Sequence, residues 1–394
     1  MAVQARKLMF LVGAYYFLQD MGGNPGLHSQ ALSKTAKEVW NYSPVESAAF
    51  FAFLTIPWMI KPLYGLVSDF LPIFGSKRKS YFLLTAILAG LSYAVIAWAG
   101  FSDETVKLLL FNAAIGIAFS DVLCDAVMVE RGQKLGIIAK LQSSQWFALG
   151  AAGVLIAFVK GYIAEFYTLA EAVRLSLVAP FLIVALTLFF LREEKMRSSG
   201  QAAREAWQGV KNAVRLKPLW AVAIFIFLFQ MSPNFGAVMY YYEKDVLKFS
   251  DILIGQIDTV GSIGFVFGAF VFGVISRRIS GEKMLKAIII SGVVSALAYL
   301  FFVNAASAFV VSAFAGIVAV VAFLGVLNIA AEVCPKNAEG TVFALLMSVS
   351  NFGSQLGMMS GGKLYEMIGY SWLVVISASA TACMWFFLPL VRKR

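Results

Sequence analysis

Histidine is nearly absent from this chain: among 394 residues there is one, His28. Cysteine is scarce too. Cys124, Cys334 and Cys383 stand far apart in apolar segments, with no metal-ligand spacing among them. These shortages exclude a disulfide scaffold, a Cys/His metal centre and nucleophile–histidine catalysis. No metal, no cofactor and no enzymatic activity is expected, and the three thiols read as small buried residues. Charge is the third shortage, at 14% of residues against 60% hydrophobic ones, with a mean hydropathy of +0.80. A water-soluble domain of this length needs a more polar surface. The chain therefore reads as an all-α integral membrane protein. A sensor would carry an output domain outside the membrane, but the longest polar segment, Arg192–Lys217, is about 26 residues.

What is present is a series of apolar runs, each long enough for a bilayer core of about 30 Å. Twelve spans are expected, at about 8–33, 44–67, 80–101, 106–130, 137–161, 170–191, 218–242, 251–275, 284–303, 307–332, 340–364 and 370–391. Residues 1–191 and 218–394 then form two six-helix bundles joined by a cytoplasmic linker, 192–217. Arg6-Lys7 followed by Leu8–Leu18 looks like a leader, but no small-residue cleavage site follows, so it is read as the first span. The net charge of +10 does not point to nucleic acid, because the bases cluster in short loops. Placing both termini in the cytoplasm puts 23 of the 32 bases on the inner side, the distribution that orients inner-membrane proteins. A multi-pass protein of a bacterial inner membrane, monomeric in the lipid bilayer, is expected.

The halves echo one another. Tyr42-Ser43-Pro44 matches Phe249-Ser250-Asp251 at an offset of 207, Asn24-Pro25-Gly26 matches Asn234-Phe235-Gly236 at 210, and Gly65/Asp69 matches Gly273/Arg277 at 208. Two pseudo-symmetric six-helix bundles with a site at the midplane are the plan of major facilitator transporters.

The segment from Pro57 to Tyr81 carries the most specific signal. It reads PWMIKPLYGLVSDFLPIFGSKRKSY, with Gly65-x3-Asp69-x5-Gly75-x-Lys77-Arg78-Lys79 inside it. With Asn24-Pro25-Gly26-Leu27, Asp121-Val122-x-x-Asp125-Ala126-x-x-Val129-Glu130 and Leu141-Gln142-Ser143-x-x-Trp146, it resembles the folate–biopterin transporter family of the major facilitator superfamily. The resemblance implies uptake of folates, pterins or similar small molecules by alternating access, as a proton-coupled symport. It also implies that Asp69, Arg78, Glu130 and Arg131 belong to the inner gate. A siderophore or a nucleoside derivative on the same fold is the rival cargo.

Within the spans, four charges stand out. Asp121 and Asp125 share one face of the fourth span. Lys61 lies at a similar depth on the second, about 25 Å from the outer end. An intramembrane charge is expensive unless paired or wet, so Lys61 is expected to pair with one of the two aspartates. Asp20 sits beside the Gly22-Gly23-Asn24-Pro25 break and is the further proton-coupling candidate. Gln19, Asn24, Gln142, Trp146, Gln230, Asn234, Asn328 and Asn351 are the candidate substrate contacts. They combine hydrogen-bonding groups with an indole able to stack on a flat heteroaromatic ring.

Overall fold

Long apolar stretches with few breakers have one outcome in a bilayer: every backbone N–H and C=O must be satisfied within the segment, so they fold as helices. The computed structural model of the chain describes residues 2–23, 26–99, 102–191, 193, 215–275, 282–334 and 339–389. Among these residues there are helices and no strands, and nine helical stretches are long and apolar enough to cross a membrane.

In chain order the helices are α1 (Ala2–Gly22), α2 (Ser29–Lys34), α3 (Pro44–Met59), α4 (Lys61–Phe70), α5 (Lys79–Trp98), α6 (Asp103–Leu135), α7 (Ile138–Phe166), α8 (Leu169–Ser176) and α9 (Val178–Phe190). After the polar connection come α10 (Lys217–Gln230), α11 (Gly236–Tyr241), α12 (Asp251–Ile275), α13 (Glu282–Ala298), α14 (Ala305–Val333) and α15 (Glu339–Cys383). α15 is two helices meeting at Gly369, whose φ of 78° only glycine adopts without strain. The first expected span ends its first helix at Gly22, where the Gly-Gly-Asn-Pro sequence predicts a break, and resumes at Ser29.

The repeated sequence features have local counterparts. Ser43 and Glu46 form reciprocal bonds at the start of α3, Ser43 N–H to Glu46 Oε2 at 2.8 Å and Glu46 N–H to Ser43 Oγ at 3.2 Å. At the matching place Ser250 Oγ accepts from Leu253 N–H at 3.2 Å. A π-helical turn covers Thr35–Val39 and another Tyr242–Val246, again 207 residues apart. Nothing in the sequence announced these wide turns.

The chain divides into two compact units. One comprises Met1–Thr35 and Ile60–Arg204, the other Ala36–Met59 and Glu205–Arg394. The first is built on a core that includes Val12, Tyr15, Tyr16, Leu123, Cys124 and Leu141. In the second, Phe225, Ile226, Ile288, Ile289, Val326 and Leu346 are central. α3 belongs with the second unit, where it packs along α15. Large apolar side chains on the outside, such as Phe147, Phe181, Phe189 and Phe386, need no partner where the solvent is lipid. Of the three cysteines only Cys124 is buried. Cys334 is half-buried and Cys383 exposed, which corrects the expectation of three buried thiols. A thiol facing acyl chains is in apolar surroundings without being covered by protein.

Candidate transport site

In the first unit, α1, α4 and α6 bring five polar side chains of the membrane interior together. Gln19 donates from Nε2 to Asp121 Oδ1 at 2.8 Å, and Lys61 Nζ reaches Asp121 Oδ2 at 2.5 Å. One turn further along α6, Tyr16 donates its hydroxyl to Asp125 Oδ1 at 2.5 Å. The two rungs follow from spacing: residues three apart on α1 face residues four apart on α6, about 4.5 and 6 Å along the two axes. Asp121 is buried, and both its oxygens are occupied. Asp125 is half-buried and bound by two neutral side chains, the hydroxyl of Tyr16 and the amide of Gln145. The choice left open by the sequence is thus made. Lys61 Nζ is bonded to Asp121, and its charge also acts on Asp125.

The second expected span is interrupted just before Lys61. α3 ends at Met59, Ile60 leaves helical geometry at φ −100° and ψ 16°, and α4 restarts at Lys61 with Pro62 in its first turn. Asp20 is half-buried with no hydrogen bond or ion pair among the described residues. Gly153 on α7 faces it, a Cβ there lying 3.9 Å from Asp20 Oδ2. Gln142 and Trp146 lie exposed on α7.

The other polar candidates sit in the second unit, largely in packing bonds. Gln230 donates to Ser350 Oγ at 2.9 Å. Asn234 uses both ends of its amide, Nδ2 to the Ser354 carbonyl at 3.3 Å and Oδ1 from Gly236 N–H at 3.2 Å, where α10 gives way to α11. Asn351 Nδ2 donates to the Trp58 carbonyl at 3.2 Å. Asn328 is half-buried on α14. Asn24 lies outside the described residues. His28 is a core residue, buried, bonded through Nδ1 to Ser176 Oγ at 2.9 Å and edge-on to Tyr93.

The gating candidates meet at the end of α4. The guanidinium of Arg78 is buried, with Nη1 on Ser68 Oγ at 2.6 Å and Nη2 on both Asp69 Oδ1 at 2.6 Å and Glu130 Oε1 at 2.5 Å. Burial works against its charge, and Glu130 and Asp69 outweigh it, holding the group above its ordinary value. Arg131, the next residue, is half-buried. The loop that delivers Arg78 turns at Phe74 and Gly75, both with positive φ (54° and 76°), and closes with Ser76 N–H on the Ile73 carbonyl at 2.9 Å. Two consecutive left-handed residues are the requirement of a type I′ turn, which explains the glycine of the motif.

One residue of this region was missed. Glu193, just past α9, accepts from Ser76 Oγ (2.5 Å) and from the N–H groups of Lys77 (3.0 Å), Arg78 (3.1 Å) and Lys79 (2.9 Å). It caps the start of α5 from 114 residues away. Burial raises its pKa, but the bonds from Lys79, Ser76, Arg78 and Lys77 prevail and bring it below the usual range. A depressed folded value means its contribution is complete above the unfolded value of about 4.3 and is lost as pH falls through the lower folded one. Glu193→Ala is expected to lower stability in detergent by about 1–2 kcal/mol, the scale of a lost N-cap. Glu193→Gln is expected to keep the pH profile of transport, since the group does not titrate near neutrality. A profile shifted in Glu193→Gln would contradict this reading of its charge.

Comparison with known proteins shows the family. The model of the BT1 family matches residues 22–390. The chain belongs to the BT1 family. A folate-biopterin transporter of Synechocystis is 27% identical over 373 residues, covering 90% of this chain and 74% of that protein. A probable folate-biopterin transporter of Arabidopsis thaliana is 26% identical, covering 92% and 89%. Among solved structures, the nucleoside transporter NupG superposes with a TM-score of 0.73 at 15% identity over all of both chains, and a D-xylose–proton symporter with 0.73 at 14% identity over 100% of this chain and 99% of its own. At such identities the structures speak for the fold alone. This BT1-family member is a multi-pass membrane transporter of the major facilitator fold, not an enzyme.

Proposed function

We propose that this BT1 transporter imports folate- or pterin-like molecules together with protons by alternating access. The cargo class is supported by the names its relatives carry. Coupling is supported by one observation: in the first unit Lys61 is bonded to Asp121, while Asp125 is bonded to the neutral hydroxyl of Tyr16 and Asp20 has no hydrogen bond or ion pair among the described residues. An intramembrane carboxylate without a bonded counter-charge is a proton-relay candidate. On this reading Asp125, tethered by Tyr16, binds and releases the coupling proton, with Asp20 as the second ionisable position. Gln142 and Trp146 on α7 contribute contacts to a flat heteroaromatic ring, and Asn24 and Asn328 are further candidate substrate contacts. Arg78, Asp69, Glu130 and Arg131 form the inner gate. The transporter works as a monomer, with bundles at 1–191 and 218–394, a linker at 192–217 and both termini in the cytoplasm of a bacterium.

The test is uptake of radiolabelled folate and biopterin into vesicles with and without an imposed pH gradient. Wild-type uptake should rise as the outer pH falls from about 7.5 to about 5.5. Asp125→Asn, which fixes the side chain in its uncharged form, should give a flat profile while substrate exchange persists. Wild-type profiles in both Asp125→Asn and Asp20→Asn would end the coupling assignment. Uptake of neither compound by the wild type would end the cargo assignment.

A further inference from the structure

The chain passes from one compact unit to the other between Met59 and Ile60, and its helix breaks at that point. Pro57 and Pro62 bracket the break. In an uninterrupted helix the N–H of residue 62 would bond the carbonyl of residue 58. Proline has no N–H, so the carbonyl of Trp58 loses its helical partner. The next donor turns elsewhere: Leu63 N–H bonds the Ile60 carbonyl at 2.9 Å, three residues back. In a membrane span there is no water to fill a freed carbonyl. Here it is filled from another helix, by Asn351 Nδ2 on α15 at 3.2 Å.

We propose that Asn351 is a positioning residue whose side-chain amide replaces the N–H that Pro62 lacks. It thereby closes the last turn of α3 beside the break at Ile60, the residue before Lys61. A backbone donor is fixed to its own helix. A side-chain donor on a separate helix lets go and returns, so the end of α3 opens and re-forms where a continuous helix would be rigid. Asn351 thus acts on the carbonyl of Trp58 rather than on cargo, although its residue type suggested a substrate contact. The inference rests on the reading of the Lys61–Asp121 pair as part of the transport machinery.

The deciding experiment is a double-mutant cycle between Asn351→Ala and Pro62→Ala, read by initial uptake of radiolabelled folate and biopterin and by unfolding midpoint in detergent. In the wild-type background Asn351→Ala should lower Vmax about fivefold, with KM changed less than about twofold, the scale of one lost hydrogen bond. It should also lower the midpoint. In the Pro62→Ala background, where a backbone N–H fills the Trp58 carbonyl, Asn351→Ala should change neither quantity further, whatever rate Pro62→Ala itself gives. Equal losses in both backgrounds would overturn the proposal. Should Pro62→Ala fail to fold, Asn351→Gln (donor kept) and Asn351→Leu (donor removed) decide. Retained uptake in the first and its loss in the second support the assignment, and equal behaviour overturns it. If the wild type takes up neither compound, the cargo reading fails, while the midpoints still decide whether Asn351 and Pro62 are coupled.

Discussion

Replacing Lys61 by methionine is expected to abolish uptake and to reduce the amount of folded protein. The substitution leaves Asp121 buried with Gln19 as its remaining partner in the pair described. Breaking a buried pair by removing one member costs about 3–5 kcal/mol, because the survivor is an uncompensated charge. Asp121→Asn is expected to be milder. Lys61 is the more exposed partner, with 18% of its side chain accessible against 8% for Asp121, and its long stem lets the ammonium find water. The double substitution Lys61→Met/Asp121→Asn removes both charges at once and should restore folded protein to near the wild-type level. Its uptake separates two roles. A pair that merely ties α4 to α6 would be dispensable, and the double variant would transport. A pair that opens and closes during transport cannot be replaced by apolar packing. We expect the double variant to be monodisperse by size-exclusion chromatography yet at least about tenfold slower than wild type, a loss of about 1.4 kcal/mol or more. Normal uptake by the double variant would assign the pair to structure.

The sequence showed that Lys61 needed a partner and offered two, and the reason it offered two is instructive. Depth along a helix is legible by counting residues at 1.5 Å each. The axial register between two helices is not legible to better than a turn, and Asp121 and Asp125 share a face and differ by one turn, about 6 Å. The carboxylates themselves were legible because a charge in an apolar run is conspicuous. Tyr16 was not, because a tyrosine in an apolar helix is indistinguishable from the aromatic packing around it until its hydroxyl is located. Glu193 was hidden for a different cause: three of its four partners are backbone N–H groups, which have no residue type to recognise. The interruption of the first span was visible as Gly22-Gly23-Asn24-Pro25 and the end of α1 falls there. The grouping of α3 with the second unit was not visible, since apolar periodicity says that a face is buried without saying against what.

Arg78 gives the second large expectation, and its sign runs against intuition. Three acceptors meet one guanidinium, and the exposures are unequal: 5% of the Arg78 side chain is accessible, against 46% for Asp69 and 51% for Glu130. Removing the arginine strands two half-exposed carboxylates, which rehydrate, and each exposed pair is worth about 0–1 kcal/mol. Removing both carboxylates strands a buried cation with Ser68 as its remaining partner in the cluster, and a buried charge deprived of its partners costs about 3 kcal/mol or more. Asp69→Asn/Glu130→Gln should therefore destabilise the protein in detergent more than Arg78→Ala does. Transport should show the opposite order of sensitivity to chemistry. Arg78→Lys preserves the charge, but one ammonium lacks the planar fork that reaches Ser68 on one nitrogen and two carboxylates on the other. Folded protein with uptake reduced about tenfold is expected for Arg78→Lys, and a further fall for Arg78→Ala. Wild-type uptake in Arg78→Lys would show that charge alone suffices at this position. A larger loss of stability in Arg78→Ala than in the double carboxylate variant would show that the acids, not the arginine, are the members that burial constrains.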